Sequence, residues 1–243
     1  MTISFADKTV LVTGANRGIG HALVEEALRR GAQRVYATTR QPLSHPDPRV
    51  TPLTLDVTNP AQIKAAATQV DELDVLINNA GVAGYDDLSD RAALEQHLAV
   101  ILFGTYDVTQ AFLPVLLRSQ GAIVNNVSVM AFAPLPLTPS YAISKAAAFN
   151  MSQSLRALLA ARGVTVHAVL TGPTDTDMTR GFEIPKASPQ SVARAVLDAV
   201  ENGEEDIFPD ALSQTVANEW HNGAAKAMER QNAVFVPPQP AVA

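Results

Sequence analysis

From Thr9 to Thr13 the chain reads Thr-Val-Leu-Val-Thr, a β-branched apolar run that ends at Gly14. Beyond it, His21-Ala-Leu-Val-Glu-Glu-Ala-Leu-Arg-Arg repeats its Leu and Val positions at helical spacing until Gly31 stops it. Strand, turn and helix therefore follow in that order. The alternation continues with strands predicted at Arg34 to Thr38, Val50 to Leu55 and Val75 to Asn78, a turn-rich segment at Gln41 to Pro48, and a helix after Asn59-Pro60. A repeating βα order implies a parallel sheet with right-handed crossovers.

In the second half, a helical pattern runs from about Asp90 to Ser119 and contains Pro114, which is expected to kink it or end it early. Gly121 precedes Ala122 to Val127, apolar enough for a buried central strand. A helix over Ser140 to Arg162, a strand over Val164 to Leu170 and a loop to Pro185 are predicted next. Helices near Pro189 to Glu201 and Ala211 to Arg230 follow, with a short strand at Asp206 to Phe208 between them. The pattern predicts a single α/β domain over residues 1–235 and a proline-rich tail, 236–243, that frays.

Composition narrows the chemistry. Of 243 residues 47% are hydrophobic and only 5% aromatic, which suits helix-on-sheet layers. A net charge of −6 argues against partners such as nucleic acid or an anionic membrane surface, since both reward concentrated Lys and Arg. With no cysteine, thiolate catalysis and disulfides are excluded, and any redox chemistry must come from a bound cofactor. The start lacks a basic segment followed by an apolar stretch, and no run of about 18 apolar residues is seen, so a cytoplasmic protein is expected. His21, His45, His97, His167 and His221 are widely spaced and form no HxxxH pair, so no metal site is expected, and no G-x-S-x-G elbow points to a hydrolase.

The first turn reads Thr13-Gly14-Ala15-Asn16-Arg17-Gly18-Ile19-Gly20. Glycines there let the backbone turn sharply and approach a pyrophosphate, whose charge the helix N-terminus stabilises. The Gly-x-x-x-Gly-x-Gly spacing resembles the classical short-chain dehydrogenase/reductase family, as does Asn78-Asn79-Ala80-Gly81 at the end of the fourth strand. The resemblance implies a Rossmann-type doubly wound parallel sheet in which Asn79, Ala80 and Gly81 line the adenosine side of a dinucleotide site. It also implies that Asp56 and Val57 meet the adenine, although a capping or turn role for Asp56 stays open. Where an acidic side chain would select NAD, the chain reads Thr38-Thr39-Arg40. Each of Arg17 and Arg40 alone is an ordinary solvated charge, but as a pair at these places they favour the 2′-phosphate of NADP(H).

Tyr141-Ala142-Ile143-Ser144-Lys145 sets a tyrosine and a lysine four apart, on one face of a helix, and Ser128 ends a buried strand thirteen residues earlier. The arrangement resembles the family's catalytic set. It implies that Tyr141 exchanges a proton with a carbonyl or alcohol, that Ser128 holds the substrate oxygen, and that Lys145, beside Tyr141, lowers the phenol's pKa and binds the nicotinamide ribose. Two positions depart from the family's pattern. Ile101 stands where an asparagine usually helps a water link the lysine to solvent, and Thr171 stands where proline precedes Gly172. The resemblance further puts the backbone of Thr174 near the nicotinamide carboxamide and Thr176 near the pyrophosphate.

After Ser128 the segment Val129 to Leu137 is almost wholly apolar, and Val82, Tyr85, Met130, Phe132, Met178, Phe182 and Ile184 are candidates to surround a small hydrophobic carbonyl or alcohol substrate, beneath a mobile loop at Asp177 to Pro185. The resemblance implies a homodimer or homotetramer paired through the long helices. Two functions follow: an NADP(H)-dependent oxidoreductase, or an NADP(H)-binding protein with weak or no turnover because Ile101 interrupts the relay.

Overall fold

The computed structural model describes residues 3–236; the proline-rich stretch 237–243 of the predicted tail lies outside them. Strands β1 (Thr9–Thr13), β2 (Arg34–Thr39), β3 (Val50–Thr54), β4 (Val75–Asn78), β5 (Ala122–Asn126), β6 (Thr165–Val169) and β7 (Asp206–Ile207) form one sheet in the order β3-β2-β1-β4-β5-β6-β7. Every pairing is parallel. This is the Rossmann-type doubly wound sheet. Strand order reverses between β1 and β4, which opens a crevice at the carboxyl ends of the strands.

Side-chain alternation explains the two layers. On β1, Val10 and Val12 point to one face and pack with helices α1 (Gly18–Arg29) and, from later in the chain, Pro189–Glu201, while Leu11 points to the other. That second face is covered by α2 (Pro60–Ala67), and by the helical segments Thr105–Ser119 and Pro139–Ala160. Because both faces are covered, the central strands read as continuous apolar runs. In α2 the cap follows from sequence: Asn59 accepts from the amides of Ala61 and Gln62, and Pro60 occupies the first turn.

The helical stretch after Asp90 differs from the expectation. It comprises α3 (Arg91–Leu98), a π-helical turn at Ala99–Gly104, and α4 (Thr105–Ser119), which runs through Pro114. Pro114 and Gln110, the residue whose carbonyl the proline leaves without an amide, are both on the exposed side of the helix, where the loss of one internal bond is least costly. The irregularity falls instead at the turn bearing Ile101. By length and composition Arg91–Ser119 is apolar enough to cross a membrane, yet Val108, Phe112 and Leu116 are buried against the sheet.

After α5 (Pro139–Ala160) and α6 (Pro189–Glu201), the predicted last helix is two, α7 (Ala211–His221) and α8 (Ala224–Asn232), separated at Asn222-Gly223. Fully buried Asp206 holds this end together, accepting from Arg156 of α5 at 2.7 Å, Trp220 of α7 at 2.8 Å and Lys226 of α8 at 2.7 Å.

Candidate active site

At the switch point a cavity of about 760 Å³ runs from Arg40 and Asp56, past the glycine turn, to Ser128, Tyr141 and Ile184. Gly14 and Gly18 adopt left-handed φ of 65° and 56°, and a Cβ on Gly20 would lie 2.2 Å from the carbonyl oxygen of Gly14. The turn is braced from β4: Thr13 Oγ1 accepts from the amides of Asn79 and Ala80 at 2.9 and 3.0 Å, and Asn79 Nδ2 donates to the Thr13 carbonyl at 3.0 Å. Arg17 caps α1 without a side-chain hydrogen bond, and no acidic residue sits in the first turn, which leaves the positive end of the helix to an anion. These features fit a dinucleotide pyrophosphate.

Asn16, Ile19, Val57, Ala80, Gly81, Thr174 and Thr176 all line the same cleft. Asp56 lines it too, but its carboxylate is engaged by the Thr58 amide and hydroxyl, at 2.9 and 2.7 Å. Those bonds, and less so the charge of Arg40, hold its pKa below the usual carboxylate value. Asp56 is thus a turn aspartate at the cleft wall, and Asn59 caps α2. The two arginines do not act alike. Arg17 Nη1 reaches across to Asp177 Oδ2 at 2.8 Å, whereas Arg40 is exposed and has no ion-pair partner among the described residues. Among the described residues no carboxylate lies within 4.0 Å of Arg40, and the cleft-wall carboxylate of Asp56 is engaged by Thr58.

At the other end, the carboxyl terminus of β5 and the first turns of α5 bring Ser128, Tyr141 and Lys145 together. The Ser128 hydroxyl donates to the Thr171 carbonyl at 3.2 Å and accepts from the Met130 amide. Lys145 Nζ donates to the Asn126 carbonyl at 2.6 Å and stands 5.5 Å from the centre of the Tyr141 ring. Burial, rather than mutual charge, dominates both groups. Burial pushes Tyr141 up to about 12, with the Ser128 hydroxyl opposing the rise, and burial brings Lys145 down to about 7.

The altered positions are also resolved. Ile101 is 2% exposed inside the π-helical turn, so its side chain adds no polar atom, although its neighbours Ala99 and Val100 line the cleft. The Thr171 hydroxyl donates inward to the Val127 carbonyl at 3.4 Å, and Thr171 lines the cleft.

Val82, Met130, Met178, Phe182 and Ile184 line the apolar end with Leu135, but Phe132 and Tyr85 do not. Phe132 stacks on Trp220 with centroids 4.7 Å apart and meets Phe149 edge-on at 5.3 Å, so aromatic packing with α5 and α7 takes up its ring. Tyr85 is 70% exposed and leans on Phe182 at 5.8 Å, outside the lining. The wall at Asp177 begins with a tight helical turn, Asp177–Thr179, and is anchored at its base by a bridge between Thr174 and Ala187.

Sequence reasoning missed Asn126, which receives Lys145 and donates to Asn79 Oδ1 at 2.9 Å. Its position two residues before Ser128, at the end of an apolar strand, was the available signal. It also missed the buried chain from Asn78 to Asn125 and on to Ser152, at 2.9 Å each, in which no single residue is conspicuous.

A family profile described as short chain dehydrogenase matches residues 8–186. Mouse estradiol 17-beta-dehydrogenase 2 is 36% identical over 194 residues, 73% of this chain, but the match spans only 51% of that protein's length. Bovine short-chain dehydrogenase/reductase 3 is 33% identical over 80% of this chain and 72% of its own. Among solved structures, a short chain dehydrogenase from Burkholderia cenocepacia J2315 in complex with NADP superposes with a TM-score of 0.87 at 36% identity, covering 97% of this chain and 100% of that one. The NADPH-bound carbonyl reductase from chicken fatty liver gives 0.75 at 28% identity, covering 81% and 88%.

Proposed function

Because this chain belongs to the short chain dehydrogenase family, we propose that it is an NADP(H)-dependent oxidoreductase that interconverts a hydrophobic ketone or aldehyde and the corresponding alcohol. The observation that carries the reading is the cleft itself: a phosphate-accepting glycine turn with free Arg40 at one end, and Ser128, Tyr141 and Lys145 beside an apolar wall at the other. NADP(H), when bound there, supplies or accepts the hydride.

The rest of the step belongs to the chain's own residues. With its pKa near 12, Tyr141 holds its proton at Oη throughout the neutral range, which suits it to donate to a carbonyl oxygen. Ser128, held in place by the Met130 amide, turns its hydroxyl proton from the Thr171 carbonyl to that oxygen, and so orients it and stabilises charge developing on it. Asn126 aims Lys145 into the cleft. Val82, Met130, Leu135 and Met178 exclude water from the reacting centre and favour an uncharged substrate. Exposed Phe103, Tyr106, Ile143 and Leu158, on the π turn, α4 and α5, support subunit pairing through these helices.

The test is NADPH oxidation in the presence of acetophenone, benzaldehyde and estrone, with wild type beside Tyr141→Phe. Turnover in wild type and its loss in the variant is the expected result. The buried apolar Ile101 supports the second reading, a cofactor binder without turnover. Tight NADPH binding with no consumption for any of the three carbonyls would favour it.

A further inference from the structure

β4 and β6 are the two neighbours of β5 in the sheet, so the loops that leave their carboxyl ends stand on either side of Ser128. One loop is 82–89, after β4, and the other is 175–187, after β6. They meet through Tyr85 and Phe182, whose ring centroids lie 5.8 Å apart with planes at 34°, inside the packing range of aromatic pairs. Phe182 lines the cleft, and Tyr85 stands behind it at 70% exposure, outside the lining. Among the described residues Phe182 and Tyr141 are the only aromatic rings in the cleft wall.

Each loop is tied down beside the ring it carries. The Phe182 amide donates to the Thr179 carbonyl at 3.2 Å, and Lys186 Nζ donates to the same oxygen at 2.8 Å. Those bonds hold the backbone, but the residue before the ring is Gly181, with φ of 91° and no atom within 4 Å of where a Cβ would stand. Gly181 lends the ring no support, whereas Tyr85, its aromatic partner among the described residues, does. Tyr85 is placed in turn by the residue after it. Asp86 accepts from the Ser140 hydroxyl at 2.9 Å and the Ser140 amide at 3.3 Å, and its own amide donates to the Leu137 carbonyl at 3.3 Å. Thr138 caps α5 without a side-chain hydrogen bond, so the Asp86 carboxylate supplies the acceptor and the negative charge that the start of this helix lacks. Tyr141 follows Ser140, and the loop bearing Tyr85 is thereby registered on the turn that carries the phenol.

We propose that Phe182, backed by Tyr85, is the specificity-determining ring of the cleft, and that the substrate carbonyl bears a planar aryl group which lies against it. Tyr85 is a positioning residue that acts through Phe182. The inference deepens the reductase reading above and rests on it for the carbonyl. An aryl group and a puckered saturated ring both bury apolar area on Met130, Leu135 and Met178, but only the aryl group adds the attraction of an aromatic pair. The choice between them is decided at Phe182 and, behind it, at Tyr85.

Acetophenone and cyclohexyl methyl ketone share one carbon skeleton and differ in the planarity of the ring, so together they isolate this contribution. Their Kd values for the NADP+-loaded protein, from ligand-detected NMR titration, need no turnover. Tyr85→Ala is expected to weaken acetophenone about three- to ten-fold and to leave cyclohexyl methyl ketone within about two-fold. Tyr85→Phe, which keeps the ring, restores acetophenone, and Phe182→Leu, apolar but not planar, repeats the loss. In steady-state NADPH oxidation the loss falls on KM, with kcat within about two-fold. Both ketones weakened alike, neither weakened, Tyr85→Phe as weak as Tyr85→Ala, or a fall in kcat with KM unchanged overturns the inference. Selective weakening in a protein that reduces neither ketone supports the ring pair and counts against the reductase reading alone.

Discussion

Arg17 Nη1 and Asp177 Oδ2 lie 2.8 Å apart although 160 residues separate them in sequence, and together they join the glycine turn to the far wall of the cleft. Asp177 also pairs with Arg180 on its own segment. The Arg17 and Asp177 side chains are 67% and 39% exposed, so the bridge contributes between about 0 and 1 kcal/mol and yields readily to a better anion. On the proposed reading the 2′-phosphate of NADP(H) is such an anion, with which Asp177 would compete for Arg17. Asp177→Asn is therefore expected to tighten NADPH by up to about five-fold, the equivalent of that energy, with NADH unchanged. Fluorescence titration with both cofactors checks this, and weaker NADPH binding in the variant would remove the competition argument.

Arg40 has no such competitor. Its guanidinium is expected to meet the 2′-phosphate in charge-assisted hydrogen bonds of about 1.5–3 kcal/mol, so Arg40→Ala weakens NADPH by roughly ten-fold or more while sparing NADH. The ratio of kcat/KM for the two cofactors reads the effect directly. A wild-type ratio near one would show that the missing carboxylate at Thr38-Thr39-Arg40 does not select the cofactor.

Lys145 makes a pH-dependent contribution to stability. Burial lowers its pKa to about 7, against about 10.4 for an unfolded lysine, so between those values the unfolded chain binds more protons than the folded one. Stability from this group therefore rises with pH across that window, and its penalty is greatest below pH 7. Lys145→Met is expected to gain on wild type at pH 6 and to lose that advantage by pH 10, as followed by urea unfolding. A stability difference independent of pH would show that the lysine is not desolvated in the fold.

The Ile101 position is open to a direct test. Ile101→Asn places an amide in an apolar site and is expected to lower stability by about 1–3 kcal/mol while raising reductase kcat modestly. Urea unfolding beside steady-state NADPH oxidation reads both effects, and an unchanged or lower kcat would show that an asparagine relay does not apply at this position.

Phe132→Ala separates packing from pocket. The half-buried ring packs against Phe149, Phe208 and Trp220, so its loss is expected to cost up to about 3 kcal/mol of stability and to leave KM nearly unchanged for the folded protein. Met130→Ala, two residues earlier and lining the cleft, is expected to do the reverse. Thermal melts beside KM for the best carbonyl substrate would show whether the assignment holds.

Much of this protein is legible along the chain. The alternation at Thr9–Thr13, the glycine spacing of Gly14, Gly18 and Gly20 and the four-residue step from Tyr141 to Lys145 are local, because strand periodicity, turn φ values and helix faces depend on neighbours a few residues away. From such signals the parallel sheet and the glycine turn follow, and they set Tyr141 and Lys145 on one helix face; the roles proposed for these two and Ser128 came from the family resemblance. Other features depend on partners far off in sequence. Phe132 is drawn from the cleft by Trp220, Arg17 by Asp177, and the Tyr141 and Lys145 pKa values are governed by burial, which no local pattern reports. Tyr85 reads as one pocket candidate among several until the fold sets its ring behind Phe182, outside the lining. Short-range stereochemistry is written residue by residue, whereas desolvation and long-range pairing exist only once the layers have closed over the sheet.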